Sequence, residues 1–143
     1  MKTLFLLRTL VIATTLCLSS FSYAEPVVVV VSVTSPVVKL DKEQVANLFL
    51  GKSSSFPDGS AAVPIEQADS APAHEEFHKS ITEKSASQLK SYWSKMIFSG
   101  KGTAPKEVAS NAELLKLLAS NPAMIGYVDK TAADKTVKVV FAP

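Results

Sequence analysis

The chain has 143 residues, 47% of them hydrophobic, with a formal net charge of +2. Lys2 and Arg8 lie in an N-terminal segment of 24 residues, and the other 119 residues balance 13 lysines against 13 acidic residues. That balance argues against a basic surface for nucleic acid or anionic lipid. Arg8 is the last arginine and Cys17 the last cysteine. Beyond them there is no planar fork for bidentate phosphate binding, and disulfide, thiol redox and thiolate–zinc chemistry are excluded.

Residues 1–24 carry a positive start, an apolar stretch from Leu10 to Leu18 and the small-x-small site Ser22-Tyr23-Ala24. This is the pattern of a secretory signal peptide, too short for a membrane anchor, with cleavage expected before Glu25 and a periplasmic destination. Leu16 precedes Cys17, where a lipoprotein needs a small residue. Residues 25–143 suit one small domain with one core.

The β-branched run Val27–Val33 predicts a strand buried on both faces, broken by Ser35-Pro36. Asp41 and Gln44 have capping-box spacing, and Leu40 and Val45 are placed as a hydrophobic staple. Val45, Leu48 and Phe49 form the inner face of that helix, with Gly51 at its left-handed C-terminal position. Lys52 then suits the negative end of the helix dipole, and Ser53-Ser54-Ser55 reads as loop. Pro57-Asp58-Gly59 marks a turn, and Ala62–Ile65 a short strand. Ser70 is placed to cap a helix from Ala71 to about Lys79, with Pro72 in its first turn. Ser85 and Gln88 open a helix whose apolar stripe is Leu89, Tyr92, Trp93, Met96 and Ile97, so that Tyr92 and Trp93 read as core rather than a stacking platform. Gly100-Lys101-Gly102 is a flexible connector. Ser110 and Glu113 make a third capping box before Leu114, Leu115, Leu117 and Leu118, and Asn121-Pro122 ends that helix. Ile125–Val128 and Val137–Phe141 read as strands. Strands alternating with helices imply an α/β layer fold with a mixed or parallel sheet.

His74-Glu75-Glu76-Phe77-His78 satisfies H-E-x-x-H on a predicted helix, where two histidines share a face and Glu75 stands as a candidate base for zinc-dependent hydrolysis. A third protein ligand would have to come from Glu83, Glu107 or Glu113, none of which stands in a supporting motif. The favoured reading is a polar helix face with Phe77 packed inward, with no catalytic residue and no metal ligand assigned.

The order of these features resembles the phosphate-binding proteins of ABC transporters, and specifically their second lobe. The carriers are Leu48-Phe49-Leu50-Gly51-Lys52, the Pro57-Asp58-Gly59 turn, the Tyr92-Trp93 helix, Gly100-Lys101-Gly102 and Pro122-Ala123-Met124-Ile125-Gly126-Tyr127-Val128. Together they span nearly all of residues 25–143, and short single-lobe proteins of phosphate transport are the nearest match. The resemblance implies a three-layer α/β fold, one lobe of a type II periplasmic-binding-protein fold, with a central mixed sheet flanked by helices.

The family's anion motif is Arg, three residues, then Ser-Gly-Thr at a helix N-terminus, where amides, hydroxyls and a guanidinium replace phosphate's hydration. Matched on Ser70, the arginine becomes Glu66, the glycine Ala71 and the threonine Pro72. Matched on Phe77, it becomes Gln67, followed by Ala71-Pro72-Ala73. Neither register keeps the arginine, and Pro72 lacks an N–H. The resemblance therefore implies a periplasmic, non-enzymatic solute-binding or sensing module with a weakened anion site at Gln67, Ser70, Ala71 and Ala73. It implies no cofactor, a small anion such as phosphate as ligand, and a membrane transporter or sensor protein as partner. The chain itself is not expected to be an integral membrane protein. The alternatives are a protein-interaction lobe that has lost its ligand, and the zinc peptidase.

Overall fold

The computed structural model describes residues 25–143, and the export signal expected over residues 1–24 lies outside them. Five strands form one open mixed sheet. They are β1 (Val27–Ser32), β2 (Val63–Gln67), β3 (Lys106–Val108), β4 (Met124–Asp129) and β5 (Val137–Phe141), in the order β3-β2-β4-β1-β5. β1 runs antiparallel to β4, with Val27 opposite Asp129 and Val31 opposite Ile125, and antiparallel to β5. β2 runs parallel to β4 and to β3.

Every residue of β1 is buried, as a β-branched strand covered on both faces requires. Strand alternation divides its side chains between two cores. Val27, Val29 and Val31 join Ile125 and Tyr127 against the helices α1 (Lys42–Phe49) and α2 (Pro72–Ser80). Val28 and Val30 join Ile65, Val108 and Val128 on the opposite face, against α4 (Asn111–Ser120). The result is the expected three-layer α/β arrangement. Among the described residues no helix is long and apolar enough to cross a membrane.

Local chemistry sets the helix ends. Asp41 accepts from the Gln44 amide and Gln44 Oε1 accepts from the Asp41 amide, so the expected capping box closes α1. Gly51 follows at φ +70°, where a side chain would be strained. Ser85 and Gln88 form the same reciprocal box at the start of the third helix, α3 (Ala86–Phe98). At α4 the box is half formed. Ser110 accepts from the Glu113 amide, but the Glu113 carboxylate accepts from the Ala109 amide instead.

Three features differ from the sequence expectation. β2 extends two residues beyond Ile65, because the polar Glu66 and Gln67 find hydrogen-bond partners inside the protein. β3 gave no periodic signal, being a three-residue edge strand with one buried position, Val108. Of the α3 stripe only Leu89 is fully buried: Tyr92, Trp93 and Met96 are half-buried and Ile97 is 54% exposed, as is the neighbouring Phe98 at 96%. That helix is tied to the end of α1. The Tyr92 hydroxyl donates to the Leu50 carbonyl, and the Trp93 ring lies over Gly51, where a Cβ would come within 3.2 Å of it.

Candidate functional site

The polar residues that extend β2 define the site. Ile65 faces the α4 core, so alternation turns the next side chain, Glu66, toward α2. Its carboxylate is buried there. The Tyr127 hydroxyl donates to Glu66 Oε2 at 2.6 Å and accepts from the Gln67 amide at 3.2 Å. Tyr127 is held in turn by Phe77, stacked on it at 4.0 Å between ring centroids, and by Phe49 at 5.8 Å.

α2 brings both histidines to the same carboxylate. His74 and His78 lie one turn apart and are both buried. His78 Nε2 lies 3.0 and 3.1 Å from the two Glu66 oxygens. His74 Nε2 lies 3.8 Å from Glu66 Oε2 and 3.5 Å from Oδ1 of the exposed Asp69. Thr82 fixes the ring of His78. Its hydroxyl donates to the His78 carbonyl, which leaves the oxygen to accept from His78 Nδ1 at 2.9 Å. Nε2 is thus the atom that His78 presents to Glu66.

Burial shapes the chemistry of these groups. Desolvation pushes the His74 pKa below 6.5, and the positive charge that His78 can carry adds to the shift, while Glu66, Asp69 and Glu107 pull against it. His74 is therefore neutral at neutral pH and offers a lone pair. Burial, followed by the adjacent Glu66 carboxylate, drives the Tyr127 phenol far upward, so it remains a proton donor to Glu66. The two histidines line a cavity of about 700 Å³ whose wall also carries Asp69, Lys79, Glu83 and Lys84.

The residues expected to hold an anion are placed differently from one another. Ser70, Ala71 and Ala73 come together at the start of α2, with Ser70 exposed and Ala73 buried. Ser70 does not cap the helix. The N-cap is Ala71, which has no side chain to bond the first turn, and its own amide donates to the Ala68 carbonyl. Pro72 occupies the first turn as expected. Gln67 is buried, with its side-chain nitrogen donating to Asn111 Oδ1 at 2.7 Å and to the Tyr127 carbonyl at 3.0 Å. Of the carboxylates considered as a third partner for the histidines, Glu83 lies on the cavity wall, where it pairs with Lys42. The group that joins His74 and His78 is Glu66, which sequence reasoning named only in one register of the anion motif and not as a partner of the histidines. A signal for it existed: a carboxylate one position beyond a buried isoleucine in a strand faces the opposite core.

No protein-family model matches the sequence, and no curated protein matches it. Solved structures match by shape. An ABC-type phosphate transport receptor from Vibrio cholerae superposes with a TM-score of 0.64 at 18% identity, over 81% of this chain and 45% of its own. A protein from Clostridium perfringens, described as a phosphate ABC transporter substrate-binding protein and solved with bound phosphate, gives 0.65 at 17% identity, over 81% and 44%. PstS from Borrelia burgdorferi gives 0.60 at 13% identity, over 81% and 46%. The fold is that of one lobe of a type II periplasmic binding protein. At these identities the likeness concerns the fold, and the chain spans less than half the length of each structure it matches.

Proposed function

We propose that the chain is an exported, periplasmic solute-binding or sensing module of a single lobe, non-enzymatic, with a weakened anion site at the start of α2. It would act beside a membrane transporter or sensor. The observation that carries this reading is the lobe fold combined with a buried carboxylate, Glu66, in one register of the anion motif where an arginine is expected. A carboxylate repels an anion, and Pro72 removes one amide from the helix start. What supports residual anion binding is the cluster of Ser70, Ala71 and Ala73 around the positive end of the helix, a contribution of about 0.3–1 kcal/mol per charge at an exposed site.

Phosphate titration calorimetry with a chelator present tests the reading. Binding is expected in the millimolar range or weaker, about 4 kcal/mol, and should fade as salt is raised. A micromolar site that resists salt would overturn the weakened-site reading.

A further inference from the structure

We propose that Glu66, His74 and His78 form a binding site for a divalent transition-metal ion, with zinc the ion best suited to this donor set. Each residue offers one ligand atom, and these atoms all lie within 4.8 Å of one another. Imidazole nitrogens with a carboxylate oxygen are characteristic zinc ligands. Zinc–ligand bonds of about 2.0–2.1 Å in a tetrahedral site set neighbouring ligand atoms about 3.3–3.5 Å apart. The spacings from Glu66 to His78, 3.0 Å, and to His74, 3.8 Å, fall on either side of that value. Both Glu66 edges thus come within about 0.5 Å of a tetrahedral zinc site.

The surroundings have the form of a metal site's outer shell. His78 Nδ1 is held by Thr82, which turns Nε2 inward, and Glu66 Oε2 is held by the Tyr127 hydroxyl. The ligands come from two elements, with the histidines on α2 and the carboxylate on β2, and Tyr127 of the neighbouring β4 links them by stacking on Phe77 of α2 and bonding Glu66. The fourth position falls to the cavity that His74 and His78 line, with Asp69 at its edge. This assignment goes beyond the solute-binding reading and does not rest on it.

The test uses the full chain, stripped of metal by chelation and kept in phosphate-free buffer, so that its outcome is separate from that of the phosphate titration. Zinc titration should show one equivalent bound with micromolar or tighter affinity. His74 and His78 are the only two histidines in the chain, so the imidazole signals in a proton NMR spectrum report on the site directly. Both sets should shift with zinc, and cobalt should give visible absorption of a low-coordinate site. Glu66→Gln, close to isosteric, should weaken zinc binding by more than about 100-fold, and Tyr127→Phe by about 10-fold through the outer shell. Should either variant fail to fold, the wild-type NMR titration decides alone. Absence of zinc binding, zinc binding that leaves the imidazole signals unmoved, or a folded Glu66→Gln with wild-type affinity would each overturn the proposal.

Discussion

On one face of the sheet, α4 lays Leu114 and Leu118 over Val28, Val30, Ile65 and Val128, a core cluster made of aliphatic side chains. On the other face the alternate residues of the same strands meet α1 and α2, and there Phe49, Phe77 and Tyr127 surround a buried carboxylate and two histidines. Both faces exclude water, so both stabilise the fold through burial. They differ in what burial costs. An aliphatic core has no polar group to satisfy, whereas a buried carboxylate is tolerable only where donors reach it. The Tyr127 hydroxyl is such a donor, and His78 Nε2 lies 3.0 Å from the same carboxylate. A cluster of this kind adds little to stability that hydrocarbon would not, so its presence points to a role in binding.

The largest expected effect tests whether the aromatic stack supports the polar cluster. Phe77 is fully buried, stacked on Tyr127 and 4.7 Å from Phe49 between ring centroids. Phe77→Ala should cost about 3–5 kcal/mol in chemical denaturation. It should also disturb the Tyr127 near-ultraviolet circular dichroism in the native state, because the ring that fixes the tyrosine is gone. An unchanged tyrosine signal would show that the cluster is held by its hydrogen bonds alone.

The aliphatic face should fail through shape rather than polarity. Gly126 lies in β4 directly under Leu114, and a Cβ added there would meet the leucine's methyl carbons at 2.8 and 2.9 Å. Leu114 is fully buried and α4 packs against β4, so the helix has to lift or the side chain has to leave its rotamer. Gly126→Ala should therefore destabilise by about 1–3 kcal/mol, as overpacking does. A neutral result in thermal unfolding would mean that α4 is seated more loosely than the close contact indicates.

The two faces were unequally legible in the sequence. The β-branched run of β1, the capping box of Asp41 and Gln44, and Gly51 at φ +70° each follow from local rules that need no tertiary information. The apolar faces of α1 and α4 were readable for the same reason. Glu66 was not, because a strand that continues through two polar residues breaks the apolar pattern on which strand assignment relies. Its partners Tyr127 and His78 stand 61 and 12 positions away in the chain, and only the pairing of β2 with β4 brings the first of them near. Ser70 failed as a cap because the helix begins one residue later than its spacing suggests, with Ala71 as the N-cap. The α3 stripe promised a core that the fold supplies only at Leu89.

The smallest expected effect is a difference in acid sensitivity between the two faces. In the folded, metal-free protein His74 has its pKa pushed below 6.5, chiefly by burial. The groups that face it are Glu66, Asp69 and Glu107, which oppose the shift, and His78, which reinforces it. About one pH unit above 6.5 and higher, the ring is neutral in both folded and unfolded states, and the histidine's contribution to stability is fully present. As the pH falls below that value the unfolded chain takes up the proton first, so stability is lost until the pH passes the lowered folded-state value. The two exposed aspartates with lowered pKa, Asp58 and Asp134, act only in a window below 3.8 and so leave this range undisturbed. With a chelator present, the denaturation midpoint should therefore drop between about pH 7 and pH 5, and His74→Gln should flatten that slope. The aliphatic face provides the control, since Gly126→Ala should lower the midpoint at both pH values while keeping the wild-type slope. Equal slopes in wild type and His74→Gln would show that the ring is not held neutral by burial, and the contrast between the faces would then rest on packing alone.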